Sequence, residues 1–337
     1  MPNLGNFIIM RWIFYIAGLI IVGCTIAGEP ENPPLEKDSV NDLQFWHKDI
    51  IEMKLYNDTN RFCIIESGEL FQDRWDTLGQ AIFWKKIMAL SPDSCLINIA
   101  KNRKIIVQLA IDEWDQKTDE EKESFKDSIR LLNKLNEEDK IYMTSGKSDF
   151  YKFDHILLSI GKGIELFDES EVDPWYAQAI LMIESPGKMA KSNVGAYGSF
   201  QLMPSVARKM GLTVNKTIDE RKDFEKSAKA AAKFIKDICI PNAKIILDNY
   251  QISYDEKSLW FRFFVLHVYH AGAGNVSAVL DVIKPENGGG ELIQKMWVST
   301  GGQFKNASQN YSQLALAAMI TLEDIIWLNC EELDVNN

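Results

Sequence analysis

Residues 175–185, WYAQAILMIES, lie between Asp173-Pro174 and Pro186-Gly187, and this bracketed run constrains the fold more than any other stretch. Asp is a good N-cap and Pro a good first helical residue. Pro-Gly cannot continue a helix. The spacing therefore predicts a helix of fixed start and end with Glu184 in its last turn. Leu181, Ile180 and Ala177 precede Glu184 by three, four and seven residues, which puts the carboxyl on an apolar face. An apolar surround and the negative end of a helix dipole both disfavour the ionised form, so both raise the pKa. A general acid working near neutral pH needs that shift.

After Glu184 no Asp or Glu appears until Asp219, while Lys188, Lys191, Arg208, Lys209 and Lys216 fall inside the gap. Gly195-Ala196-Tyr197-Gly198 supplies a tight backbone passage within it. Gln201 follows on a short apolar run closed by Pro204. Farther on, FRFFVLHVYHAGAGNVSAVL predicts an apolar helix broken at Gly272 and Gly274 and restarted at Asn275, with Tyr269 just before the break. His267 and His270 lie three apart, but no acidic or Cys neighbour accompanies them, so no metal and no cofactor is expected.

The 337 residues are enough for two cores. A net charge of −11 without any basic cluster excludes a nucleic-acid partner. Arg11 precedes an uninterrupted apolar run over residues 12–23 that ends at Cys24. That is the length of a signal peptide, short for a membrane span. Ile21-Val22-Gly23-Cys24 resembles a bacterial lipobox, which implies lipidation of Cys24 and a chain tied to a membrane outside the cytoplasm. Residues 24–38, rich in Pro, read as a tether. Residues 39–150 are expected to form an acidic, mostly helical domain without assigned chemistry, with helical spacing in KIIVQLAIDEW and KESFKDSIRLLNKL. Cys63, Cys95, Cys239 and Cys330 are even in number, so disulfides (Cys63 with Cys95, Cys239 with Cys330) and four free thiols both remain open.

Taken in order, Glu184-Ser185, Ala190-Lys191-Ser192, Gly195-Ala196-Tyr197-Gly198, Gln201-Leu202-Met203-Pro204, Tyr269-His270-Ala271-Gly272 and residues 311–317, YSQLALA, resemble the soluble lytic transglycosylase (SLT) family over residues 151–330. The chain departs from that pattern in three places. The step from Glu184 to Ala190 is one residue short, Pro186-Gly187 replaces an aromatic stretch, and His270 stands where the family has Asn. The resemblance implies a mainly α chain: a lysozyme-like helical catalytic domain preceded by the smaller, mostly helical one. It implies cleavage of peptidoglycan strands between N-acetylmuramic acid and N-acetylglucosamine, with Glu184 as single acid and base and a 1,6-anhydromuramic product. It further implies that Ser192, Gln201, Met203, Tyr269 and Tyr311 contact substrate or orient Glu184. The alternatives are a lysozyme-type hydrolase on the same fold and a lipid-anchored wall-binding protein without activity.

Overall fold

The computed structural model describes residues 44–56, 60–184, 192 and 194–332. The signal-like segment, Cys24, the tether and Pro186-Gly187 lie outside the described residues. The chain runs β1 (Ile50–Leu55), β2 (Arg61–Ile65), α1 (Gly79–Ala89), β3 (Ser94–Ile99), β4 (Ile105–Ala110), α2 (Asp119–Leu132) and β5 (Ile141–Ser145). It continues through α3 (Leu157–Glu169), α4 (Trp175–Glu184), α5 (Phe224–Phe234), α6 (Ile240–Asn249) and α7 (Leu259–Ala271). Then come α8 (Ala273–Ile283), α9 (Gly290–Met296), α10 (Asn306–Asn329) and β6 (Cys330–Glu332). Helix dominates, as the family resemblance implies.

The first part of the chain holds helices, but five strands run among them. KIIVQLAIDEW, expected as helix, is strand β4 followed by a short helix Ile111–Asp115. Its β-branched Ile105, Ile106 and Val107 suit a pleated surface. They pair antiparallel with β3, whose Cys95, Leu96 and Ile97 are fully buried. A run this short cannot be assigned by periodicity alone. KESFKDSIRLLNKL does lie on α2, opened by a capping box in which Thr118 and Glu121 cap each other's backbone.

One three-stranded sheet has the order β4-β3-β5, the other β2-β1-β6, so the last strand of the chain pairs with the first. The β3–β5 sheet and α2 enclose a small core of Cys95, Ile97, Ile99, Trp114, Ile129 and Ile141. The remaining elements share one large core: Phe62 on β2 and Phe83 and Trp84 on α1 belong with Trp175, Phe263 and Leu316. β1, β2 and α1 are therefore built into the helical body, not set apart at residue 150. All four described cysteines stand as free thiols.

Helix α4 is the axis of this body. Residues 175–183 are all buried, among α3, α10 and β2; each large apolar side chain there contributes roughly 1.5–3 kcal/mol. Gly163 lets α3 approach, since a Cβ at that position would lie 2.7 Å from Leu181 Cδ1. Gln178, the polar residue in the run, accepts from the Ile65 N–H at 2.9 Å and donates to the Ile65 carbonyl at 3.0 Å. The predicted cap holds: Asp173 accepts from the Trp175 N–H at 3.0 Å. Its other oxygen receives Arg262 Nε at 2.8 Å, and both partners are buried. Helix α10, the one described helix long and apolar enough to cross a membrane, is mostly buried and packs on α1, α4 and α7.

Candidate active site

Glu184 is the last residue of α4 and is partly buried. Burial lifts its pKa from 4.5 to about 7, while the Tyr311 hydroxyl pulls in the opposite direction. No second carboxylate acts on it among the described residues. Tyr311 comes from α10 with its ring 3% exposed. Its buried hydroxyl faces the Glu184 carboxyl as a donor and has no other hydrogen-bond partner.

Two further tyrosines feel the charge of Glu184. Burial first, then that charge, raise the pKa of Tyr151, Tyr269 and Tyr311, so all three phenols keep their protons. Tyr269 is committed elsewhere, because its hydroxyl donates to the Phe200 carbonyl at 2.6 Å. This bond ties α7 to the loop carrying the glycine motif. Tyr151 lies in the segment before α3, packed at 5.6 Å against Phe153, and sequence reasoning missed it. It stands ahead of every motif, and nothing in its neighbourhood marks it.

The loop after Glu184 is organised by its own polar groups. Ser192 Oγ accepts from the Ala196 N–H at 2.9 Å, and the Ser192 N–H reaches the Ala196 carbonyl at the same distance. Gln201 adopts a left-handed φ of 45° and donates through Nε2 to the Gly198 carbonyl at 3.1 Å. Met203 is 38% exposed, an apolar side chain left open to solvent beside the helix that starts at Pro204. Glu184, Tyr269 and Tyr311 are thus brought together, while Ser192 and Gln201 hold the loop and Met203 stands on its open side.

Arg221, also missed, is what fixes that loop. Its buried guanidinium donates to the carbonyls of Gly195 and Leu202, each at 2.8 Å. The same group grips Asp219 by two bonds, Nε to Oδ1 at 2.8 Å and Nη2 to Oδ2 at 2.7 Å. Arg221 lowers the pKa of Asp219 and occupies both its oxygens. Glu220 is bonded to Lys226 and to the Thr213 N–H. The first two acids after the gap are therefore committed. The Asp-x-Arg spacing of 219 and 221 was the available signal for this clamp. Gly198 is required at its place, because φ is +85° and a Cβ would lie 2.0 Å from the Arg221 carbonyl oxygen.

The predicted helix break lies at Gly272, but α8 restarts at Ala273 and not at Asn275. Asn275 instead donates to the Ala271 carbonyl and accepts from the Gln303 N–H, bridging two loops. His270 stacks on Tyr311 with ring centroids 4.2 Å apart and planes at 22°. The residue keeps an exposed side, and burial of the ring against its neighbours lowers its pKa. His267 turns the other way: Trp297 donates to Ser312 Oγ at 2.7 Å, leaving the serine hydroxyl to donate to His267 Nε2 at 2.8 Å. Burial keeps that imidazole neutral, at about 3. Among the described residues no three His, Cys, Asp or Glu side chains gather as metal ligands.

A helix ending in a carboxyl of raised pKa, beside buried tyrosines and a glycine loop, has the chemistry of a general acid poised near neutral pH. Residues 164–282 match the family model of the transglycosylase SLT domain, about a third of the chain. This segment is thus similar to the SLT domain, a family whose members cleave peptidoglycan by transglycosylation. No curated protein matches the chain. Tyr151 and Tyr311 lie outside the matched segment, on either side of it.

Proposed function

We propose that the protein is a peptidoglycan lytic transglycosylase in which Glu184 is both general acid and general base. The observation that carries this reading is a single carboxyl at about 7 with no second carboxylate acting on it among the described residues, the next acid in the chain being locked onto Arg221. In the protonated state Glu184 donates to the glycosidic oxygen as the C1–O bond breaks, and the N-acetylglucosamine side leaves as an alcohol. The substrate's own N-acetyl oxygen stabilises the positive charge that develops at C1, a role that replaces the missing carboxylate. The Glu184 carboxylate then takes the proton of the C6 hydroxyl, whose oxygen closes onto C1. The muramic residue ends as the 1,6-anhydro sugar, no water is consumed, and Glu184 is protonated again.

Ser192, Gln201, Met203 and Tyr269 contact the sugars or hold the loop that does, and Tyr311 steadies the ionised Glu184. The chain works in the cell envelope, anchored through acylated Cys24. Labelled fatty acid entering the wild type and not Cys24→Ala is the expected result for the anchor. The activity is tested by mass spectrometry of purified peptidoglycan digested with residues 25–337, beside Glu184→Gln. Muropeptides lighter by one water than lysozyme products, absent with the variant, are expected. Reducing-end products would make the protein a hydrolase. Wall binding without products would make it a binding protein.

A further inference from the structure

Arg103 sits in the turn between β3 and β4, and its side chain is 5% exposed. It forms no ion pair with any described carboxylate. Its guanidinium donates through Nη2 to Asn310 Oδ1 at 2.6 Å and through Nη1 to Asn98 Oδ1 at 3.3 Å. It lies over the rings of Phe83, Trp84 and Tyr142, 5.2, 5.3 and 5.7 Å from their centroids. Nε has no partner. A buried cation held by neutral oxygens and aromatic faces is an expensive way to join two surfaces, since an apolar side chain of similar size would pack there without the desolvation cost. The Arg103 backbone also adopts a left-handed φ of 56°, a strained conformation for a residue with a Cβ.

The far end of this contact explains what the cost supports. Asn310 lies on α10 immediately before Tyr311, and its amide is held from the other side, donating to Asn306 Oδ1 at 3.1 Å. One turn on, Gln313 accepts from Trp84 Nε1 at 3.0 Å. Consecutive helical residues point about 100° apart. A grip on Asn310 and Gln313 therefore fixes the rotation of α10 about its axis, and that rotation decides where Tyr311 points. The Tyr311 hydroxyl has no partner other than the Glu184 carboxyl to hold it. Every group in this brace comes from outside the segment matched by the SLT family model.

We propose that Arg103 is a positioning residue for the reaction: by holding Asn310 it sets α10 so that the Tyr311 hydroxyl faces Glu184. The N-terminal part of the chain is then a working piece of the active site, not an appended docking module. The proposal rests on Glu184 as the acid, so its test includes a measurement that needs no turnover. The charge of Glu184 is felt by Tyr151 before α3, Tyr269 on α7 and Tyr311 on α10, and of these Tyr311, with His270 stacked on it, is the one that lowers the Glu184 pKa in return.

The experiment uses the full chain and a cycle of Arg103→Met, Tyr311→Phe and the double variant. Turnover is followed on purified glycan strands, and the Glu184 titration by carboxyl carbon NMR. Arg103→Met is expected to lower kcat about tenfold with KM within about twofold, and to have less than about a twofold effect in the Tyr311→Phe background. The Glu184 titration is expected to move upward in each single variant and no further in the double, because Tyr311 normally lowers it. Equal losses in both backgrounds, or an unchanged titration in Arg103→Met, would overturn the proposal. If Arg103→Met does not fold, Asn310→Ala removes the α10 end of the contact, together with the Asn306 bond, and is read in the same way. If the wild type releases no products at all, the proposed function fails while the titration arm still decides the role of Arg103.

Discussion

Replacing Glu184 with Gln separates the cost of the catalytic carboxyl from its use. Moving a carboxyl from 4.5 to about 7 corresponds to about 3 kcal/mol at about 1.4 kcal/mol for each tenfold change. The carboxyl is partly open to solvent, which screens that figure to about 1–2 kcal/mol. The sign follows from which state holds the proton. Below 4.5 both native and unfolded chains are protonated, and the group contributes nothing to the pH dependence. Between 4.5 and about 7 the unfolded chain ionises first, so stability falls as pH rises. Above about 7 the native state carries the full penalty of a buried carboxylate. The substituted amide never ionises, fills nearly the same volume, and still offers an oxygen to Tyr311. Glu184→Gln is therefore expected to unfold within about 0.5 kcal/mol of wild type at pH 4 and to be more stable by about 1–2 kcal/mol at pH 8. Urea unfolding followed by circular dichroism at the two pH values measures both. A difference of the same size at pH 4 and pH 8, or a less stable variant at pH 8, would refute the buried-carboxyl argument.

The same titration governs rate: kcat/KM on glycan strands should fall about tenfold per pH unit above about 7, as Glu184 loses the proton it donates. A pH–rate profile flat to pH 9 would remove Glu184 as the acid. Gly198→Ala places a methyl 2.0 Å from the Arg221 carbonyl oxygen at a φ of +85° and is expected to cost about 2–4 kcal/mol, read by thermal unfolding. Arg262→Met leaves Asp173 buried without its cation and should cost about 3–5 kcal/mol. Adding Asp173→Asn should recover much of that loss in a double-mutant cycle.

The elements legible in the sequence are those whose signals are local. Asp173-Pro174 and the apolar run after it fix the start of α4 and place Glu184 at its end, because capping and helix periodicity act within a few residues. The left-handed glycine at 198 is visible for the same reason. Arg262 and Arg103 were not legible as structural parts, and Arg221 only through its spacing from Asp219. Each acts on backbone or side chains far along the chain, and an arginine bound to a carbonyl looks in sequence like any surface arginine. The strand at Ile105–Ala110 was read as helix because its three consecutive β-branched residues carry the information, and their pairing partner β3 is set by tertiary contact. Tyr151 enters the site only through the path of the chain ahead of α3.

On the proposed mechanism one carboxyl serves in both directions, and the tyrosines that feel the charge of Glu184 bear on how it does so. A glycosidase with two carboxyls divides the roles of acid and base between environments that push their pKa values apart. A single group doing both steps works best with its pKa near the ambient pH, since a higher value would leave too weak a base and a lower one too little acid. Burial alone drives Glu184 upward, and donation from the Tyr311 hydroxyl opposes it, leaving the balance at about 7. The phenol can be relied on to donate, because burial and the charge of Glu184 itself both keep its proton in place. On the proposed mechanism this donation is what stabilises the carboxylate after the first proton transfer, when the base is needed. Its orientation depends on α10, so the rotation of that helix sets the balance between the two steps.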